Sequence, residues 1–289
     1  MNVAFIGVGA MGAPMAACIA RAGHAVTVYD SSRARAYKAA QDGCAVAADL
    51  DALATADFVV TMLPTGRIVR DLYLSEGLGQ RLRRGTTAID MSSSDPTGTR
   101  ELGAALAAFG ITLLDAPVSG GVPRAAQGTL TIMIGGDDPQ TIEQVKPLLR
   151  SMGDRLFETG VLGSGHAMKA LNNFVAAATF AACAEALLTG QRFGLDAKRM
   201  VEILNVSTGR NFHTDLVLLE HVVGGKFASG FQLGLLAKDV GIAADLAEDV
   251  RLDAPLMQLV SRRFDAARDS LGYARDHTEA IKAWDANSS

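Results

Sequence analysis

The chain has 289 residues, 49% hydrophobic content and a net charge of −4, which suit a globular protein of one or two domains. No basic stripe stands out, so nucleic acid is excluded as an expected partner. The cysteines Cys18, Cys44 and Cys183 are odd in number and far apart. This pattern favours reduced thiols in the cytoplasm over a disulfide framework or a zinc site.

An apolar strand pattern begins at the first residues, so we expect no signal peptide. The longest apolar stretch, at 174–188, contains Glu185 and is shorter than a comfortable bilayer span. The expected protein is therefore cytoplasmic and has no membrane segment.

The first twelve residues combine a short apolar strand at 2–6 with Gly7, Gly9 and Gly12, and a helical pattern follows at 11–22. Strand, glycine turn and helix in this order are typical of the phosphate-binding corner of a dinucleotide fold. The first glycine permits the tight turn, the second lets a pyrophosphate approach the backbone, and the third lets helix and strand pack closely. The helix N-terminus then attracts the anion.

A second strand at 25–29 ends at Asp30, where an acidic residue would bind the ribose hydroxyls of a dinucleotide. A carboxylate there repels the 2′-phosphate of NADP and favours NAD, although Arg33 and Arg35 partly offset this preference. The alternative is a glycine-rich turn that binds no nucleotide. It is disfavoured because strand, glycines, helix and acid agree.

Strand and helix patterns alternate to about residue 160 and predict an α/β fold with a doubly wound, largely parallel Rossmann-type sheet. Further strands are expected at 57–63, 86–90, 111–115, 129–134 and 156–158, and helices at 33–41, 49–54, 69–73, 100–109 and 138–152. Ligands bind such sheets at the carboxyl ends of strands, which makes Leu63, Pro64 and Ser93 candidate walls of a cofactor cleft. Ordinary loop chemistry would explain the same residues.

Strand patterns stop at about Gly160, and an all-helical region follows. Its helices are expected at 166–192, 197–204, 214–223, 235–247, 255–270 and 277–284. We therefore predict a dinucleotide-binding domain at 1–160 and a helical domain for substrate binding and oligomerisation at 161–289. The active site is expected in the cleft between them.

Three later stretches carry residues suited to chemistry. The segment at 115–121 ends in Ser119-Gly120-Gly121, whose hydroxyl and N–H groups suit a carboxylate, or simply form a tight turn. The pair Lys238-Asp239 lies in an apolar helical run and faces either a cleft or the solvent.

The remaining stretch contains Lys169 and Asn173, which are four residues apart and so share one face of a helix. Desolvation by apolar neighbours would lower the pKa of this lysine. The amine would then exchange a proton with a substrate hydroxyl that the Asn173 amide holds. The alternative is a solvated lysine near the start of a helix.

Together the motifs resemble the β-hydroxyacid dehydrogenase family, to which 3-hydroxyisobutyrate dehydrogenase belongs, over essentially the whole chain. The motifs are Gly-x-Gly-x-Met-Gly-x-Pro-Met at 7–15, Asp-x-Pro-Val-Ser-Gly-Gly at 115–121, Gly-x-Gly-x-x-x-Lys-x-x-Asn-Asn at 163–173 and Lys-Asp at 238–239.

The resemblance implies that Lys169 is the general acid/base and that Asn173 orients the substrate. The implied cofactor-binding residues surround the dinucleotide, with Lys238 near its nicotinamide end: Gly7, Gly9, Ala10, Met11, Gly12, Asp30, Leu63, Pro64, Ser93 and Lys238. The implied substrate-binding residues are Ser119, Gly120, Gly121 and Asn172.

The implied reaction is the reversible oxidation of a small 3-hydroxy acid to its semialdehyde with NAD, NADP being the second choice. 3-Hydroxyisobutyrate, L-serine, glycerate and sulfonate analogues are the candidate substrates. No metal is needed, because a lysine handles the proton and the cofactor takes the hydride. The open alternatives are an NADPH-dependent reductase of tartronate semialdehyde, succinic semialdehyde or sulfolactaldehyde, and a non-catalytic NAD-binding protein. Members are commonly dimers or tetramers, so we expect a homodimer or homotetramer.

Two features bear on the choice among relatives, and two others bear on the substrate. Asn172 stands where 6-phosphogluconate dehydrogenases carry histidine, and imine reductases typically replace the lysine that is Lys169 here. Arg124 stands where the family often has glycine, and its guanidinium either favours a second anionic group on the substrate or faces water. The segment Ser207–Asn211 is a further candidate for shaping the pocket.

Overall fold

The computed structural model describes residues 1–286 and divides into two compact units, one spanning Met1–Lys169 and the other beginning at Ala170. The first unit is an α/β Rossmann-type unit and the second is helical, which confirms the predicted fold class. Helix α8 (Ser164–Phe193) runs through the division between the units. The predicted domain boundary at residue 160 stays a prediction, and residues 287–289 of the predicted second domain lie outside the described residues.

The first unit contains one sheet. Its strands are β1 (Asn2–Ile6), β2 (Ala25–Tyr29), β3 (Ala45–Val46), β4 (Phe58–Thr61), β5 (Thr87–Asp90), β6 (Thr112–Asp115), β7 (Val118–Ser119), β8 (Leu130–Gly135) and β9 (Gly153–Gly160). Their order is β3-β2-β1-β4-β5-β6-β8-β7, and β9 pairs with β8. Strands β1 to β6 pair in parallel, and β8 is antiparallel to β6 and β7. The register aligns Ile6, Thr61, Asp90 and Asp115, so these carboxyl ends meet at one edge.

Helices connect the strands of this unit. They are α1 (Gly12–Arg21), α2 (Arg33–Ala40), α3 (Gly66–Leu74), α4 (Leu78–Arg81), α5 (Pro96–Ala107), α6 (Gly121–Gln127) and α7 (Pro139–Arg150). The short elements α4, α6, β3 and β7 were not predicted, and the helix expected at 49–54 is a single 3₁₀ turn, Asp51–Leu53. The residues before Pro96 also predict a helix entry, with the serines at 92–94 or Asp95 as the cap, and Asp95 is the residue that caps α5, because its side chain accepts a hydrogen bond from the Gly98 N–H.

The sheet is buried on both faces. Along β1, Val3 and Phe5 belong to one apolar cluster, with residues of α1 and α7, whereas Ala4 and Ile6 belong to another, with residues of α3 and α5. Successive side chains of a strand point to opposite faces, so a doubly covered strand reads as a continuous apolar run. This explains why the sequence pattern showed little alternation.

The second unit is built on α8. The other helices are α9 (Ala197–Asn205), α10 (Phe212–Leu216), α11 (Leu233–Asp249), α12 (Pro255–Leu271) and α13 (Ala280–Ala286), with a π turn at Leu218–Val223 and a 3₁₀ turn at His277–Glu279. The single helix expected at 214–223 is thus two elements. Within residues 1–286 no strand follows β9.

By length and composition, α8 could cross a membrane, since it is a 30-residue helix with an apolar 18-residue stretch. The expectation of no membrane segment rested on the apolar stretch at 174–188, and α8 extends beyond that stretch at both ends. One such helix is weak evidence, because the core helix of a globular protein has the same composition. Here Ala177, Phe180, Ala184 and Leu187 of α8 are buried in the apolar core of the second unit.

Candidate active site

The glycine turn after β1 is closely packed. Gly7 has φ +93°, donates its N–H to the Tyr29 carbonyl at 2.9 Å, and leaves no room for a Cβ against the Met62 carbonyl. A Cβ on Gly12 would overlap the Gly7 carbonyl, because the start of α1 lies directly on the turn. Both positions therefore require glycine for the fold itself.

Gly9 differs from its neighbours. A Cβ on Gly9 would meet no atom of the described residues within 4 Å, so this side of the turn is open. Ala10 is exposed, and the half-buried Met11, which is the N-cap residue of α1, makes no capping side-chain hydrogen bond. Open backbone beside an uncapped helix N-terminus suits a phosphate group, so these residues fit the pyrophosphate of a dinucleotide.

Asp30 stands beside the same turn. One carboxylate oxygen accepts the Val8 N–H at 3.0 Å and the other accepts the Ser32 N–H at 2.8 Å. The half-buried carboxylate is thus held at the end of β2, with lone pairs left for ribose hydroxyls. The Arg33 guanidinium donates to the Ala48 carbonyl at 3.0 Å, which draws one of its arms away from Asp30.

The loops after β4 and β5 are tied together. The Leu63 N–H donates to the Ser92 hydroxyl at 2.9 Å, and Leu63 also packs against Gly7 of the glycine turn. Pro64 is exposed and Ser93 is half-buried. The structure therefore brings Leu63 to the glycine corner and places Pro64 and Ser93 on the two loops at the same sheet edge.

The first turn of α8 is fixed by a carboxylate from β6. The buried Asp115 accepts the Gly163 N–H and the His166 N–H, each at 2.7 Å, so a distant strand caps this helix. The His166 ring is fully buried and its Nδ1 lies 2.8 Å from the Thr99 hydroxyl. Lys169 follows one turn later on the same helix and is half-buried.

The predicted carboxylate loop contains Ser119, which is half-buried, and two glycines with positive φ, Gly120 at +139° and Gly121 at +67°. The space that a Cβ on Gly120 would occupy is taken by the Arg124 side chain, whose Cδ would be 2.7 Å away. The stem of Arg124 therefore packs over this loop, while the residue as a whole stays exposed.

The second unit holds a buried network. The Asp239 carboxylate is 3% exposed, and it accepts the Lys238 ammonium and the Asn173 amide, both at 2.6 Å. The Asn172 amide donates in turn to the Asn173 carbonyl oxygen at 3.1 Å. The structure thus brings together three predicted site residues and a carboxylate to which no role was assigned.

Comparison with known proteins finds dehydrogenase relatives along nearly the whole chain. Residues 2–161 match the model for the NAD-binding domain of 6-phosphogluconate dehydrogenase, and residues 163–284 match the model described as NAD-binding of NADP-dependent 3-hydroxyisobutyrate dehydrogenase. The chain is 33% identical to the 2-(hydroxymethyl)glutarate dehydrogenase of Eubacterium barkeri, covering 99% of this chain and 95% of that protein.

The NAD-dependent L-serine dehydrogenase of Pseudomonas aeruginosa is 36% identical, with 89% of each chain covered. Among solved structures, 3-hydroxyisobutyrate dehydrogenase of Mycobacterium tuberculosis with L-serine superposes with a TM-score of 0.89, at 34% identity and 98% coverage of both chains. This chain belongs to the β-hydroxyacid dehydrogenase family. It is an NAD(P)-dependent oxidoreductase of a hydroxy acid, as the resemblance implied.

Two residues of this dehydrogenase were not singled out as site residues from the sequence, although both organise site elements. Asp239 was noted only as the neighbour of Lys238, yet it bonds Asn173 from 66 positions away. Asp115 ends a strand and opens the motif at 115–121, but the sequence assigned it no role, and in the structure it caps the helix that carries Lys169. A buried acid inside an apolar run was the available signal for Asp239, because such a group requires a partner.

The segment Ser207–Asn211 has an architectural role in this dehydrogenase. Asn211 caps α10 in a reciprocal capping box with Thr214, and the Arg210 guanidinium pairs with the Asp215 carboxylate at 3.0 Å. These contacts account for Asn211 and Arg210 without a ligand. Its suggested part in shaping the pocket stays a prediction.

Proposed function

We propose that this dehydrogenase oxidises a small 3-hydroxy acid of the 3-hydroxyisobutyrate type to its semialdehyde, reversibly, with NAD. The observation that carries the proposal is the buried Asp239 network, which fixes the Asn173 amide one helical turn after Lys169 on α8. An amide and an amine on adjacent turns suit a substrate hydroxyl that must be held and deprotonated.

In this mechanism Lys169 accepts the proton of the substrate hydroxyl through its neutral amine. Asn173 orients that hydroxyl, and Ser119 with the glycine loop binds the substrate carboxylate. Bound NAD supplies the acceptor for the hydride that leaves the carbinol carbon. The products are the semialdehyde, NADH and one proton, and the reverse reaction returns the proton from Lys169 to the carbonyl oxygen.

Asn172 supports this arrangement from the next position along the helix. Its NH₂ group donates to the Asn173 oxygen, and the Asn173 NH₂ group donates to Asp239. These two hydrogen bonds fix the orientation of both side-chain amides. We propose that Lys238, held on the other Asp239 oxygen, binds near the nicotinamide end of the cofactor.

The test of the reaction is Lys169→Ala. A positioned acid/base contributes roughly 10²–10⁴-fold, so kcat should fall by that factor while NAD binding, measured by titration, is retained. Lys198→Ala is the matched control, since Lys198 is an exposed lysine of α9. Near-normal turnover in the Lys169 variant would remove that residue from the mechanism.

The preference for NAD is part of the proposal. It is supported by the Asp30 carboxylate beside the glycine turn and by the Arg33 arm that is engaged with Ala48. An NADPH-dependent semialdehyde reductase is the competing assignment. Activity with each cofactor, measured in both directions on a panel of 3-hydroxy acids and semialdehydes, separates the two.

We further propose that the enzyme is a cytoplasmic homodimer or homotetramer assembled through the helical unit. Its three cysteines are buried and free of disulfides, which suits a reducing compartment. Large apolar side chains of the second unit are exposed: Phe193 at 85%, Val206 at 86%, Phe212 at 64% and Leu216 at 64%. Contiguous apolar patches mark association surfaces, and Phe212 and Leu216 lie four residues apart on one face of α10. Light scattering on the wild type and on Val206→Asp tests the assembly.

A further inference from the structure

An exposed tyrosine of the second unit lies beside the Asp239 network. Tyr273 follows the end of α12 and is 48% exposed. Its carbonyl accepts the Gly234 N–H at 3.0 Å, which joins this segment to the first turn of α11. The Tyr273 ring then lies flat against Gly234, because any Cβ at Gly234 would overlap three atoms of the ring.

Helix geometry places the ring next to the proposed site. Gly234 and Lys238 are four residues apart on α11 and so lie on the same face, one turn apart. The Lys238 ammonium bonds the Asp239 carboxylate at 2.6 Å. The ring that covers Gly234 is therefore one helical turn from the lysine that we assign to the nicotinamide end of the cofactor.

The phenol is chemically suited to donate a hydrogen bond. Burial and the negative charge of Asp239 raise the pKa of Tyr273, against an opposing effect of Arg268, so the hydroxyl keeps its proton at neutral pH. Asp239 itself is 3% exposed, with Lys238 and Asn173 bonded to its two oxygens, so it presents almost no surface to a ligand, whereas Tyr273 is 48% exposed. A polar substituent on the substrate thus needs a partner other than Asp239.

We infer that Tyr273 is a specificity-determining residue, whose hydroxyl binds a polar group on the carbon beside the substrate carboxylate. The favoured substrates are then 3-hydroxy acids that carry an amino or hydroxyl group there, such as L-serine or glycerate, over 3-hydroxyisobutyrate, which carries a methyl group. The inference rests on the proposed function and names the substrate class for that same site.

Tyr273→Phe tests the inference, because it removes the hydroxyl and keeps the ring. The ratio of kcat/KM for L-serine, or for glycerate, to that for 3-hydroxyisobutyrate should fall about 5- to 10-fold, mainly through KM, as expected for the loss of one hydrogen bond. Tyr37→Phe, at an exposed tyrosine of α2, is the control and should leave the ratio at the wild-type value.

A second variant tests the position of the ring rather than its chemistry. Gly234→Ala keeps the tyrosine but displaces its ring, and therefore its hydroxyl, from α11. The ratio of kcat/KM for L-serine, or for glycerate, to that for 3-hydroxyisobutyrate should therefore fall as in Tyr273→Phe. An unchanged ratio in both variants overturns the inference, and so does a wild type that prefers 3-hydroxyisobutyrate. If the wild type oxidises none of these acids with NAD while it still binds NAD, the proposed function itself fails.

Discussion

Asp239→Asn is the sharpest probe of the buried network, because the change keeps the shape of the side chain and removes its charge. In the native protein both carboxylate oxygens accept, one from Lys238 and one from Asn173. The asparagine amide offers a single oxygen, so its NH₂ must face one of these two donors. Asn173 cannot relieve the conflict by rotating its amide, since its oxygen already accepts from Asn172.

The variant therefore loses about one charge-assisted hydrogen bond, which is worth about 1.5–3 kcal/mol. If that loss is expressed in the transition state, kcat/KM falls by about 10- to 150-fold. The assay is initial-rate formation of NADH with the best acid of the panel, together with thermal unfolding to confirm a folded protein. Asp253→Asn, at an exposed carboxylate of the same unit, is the control. Activity within about twofold of wild type would refute the reasoning, since it would show that Asp239 positions neither partner.

Three further predictions concern the glycine corner, the cofactor preference and acid stability. Gly9→Ala should weaken NAD binding by at least about tenfold without lowering the unfolding temperature, because its Cβ enters only the open space assigned to the pyrophosphate. Gly12→Ala should lower both the affinity for NAD and the unfolding temperature, because its Cβ overlaps the Gly7 carbonyl. Equal unfolding temperatures for the two variants would contradict this. Asp30→Ala should raise the Kd for NAD more than that for NADP, and an unchanged ratio of the two constants by titration would sink the specificity argument. Burial, followed by the charge of His277, lowers the pKa of His213 from 6.5 to about 4, so the folded state binds fewer protons than the unfolded state, and stability should be full above pH 6.5 and decline as the pH falls towards 4. Chemical denaturation across this range checks the decline, which His213→Gln should reduce.

Much of the molecule was predictable from local patterns. The apolar run before Gly7, the glycine spacing and the periodic helices after Gly160 each depend on residues close in sequence, so the Rossmann-type unit and the helical unit were both foreseen. Errors in the elements came from local chemistry that periodicity does not contain. A π turn at Leu218–Val223, for example, divides the helix expected at 214–223.

The sequence alone therefore determined the fold class, the dinucleotide corner and the family, because short-range geometry and motif spacing carry that information. Only the tertiary structure decided which side chains hold the candidate site together. Asp239 meets Asn173 across 66 positions, Asp115 caps α8 from 51 positions away, and Tyr273 covers Gly234 from the end of another helix. No periodicity links such positions, since a hydrogen bond between distant residues depends on how whole elements pack and not on the pattern within either one.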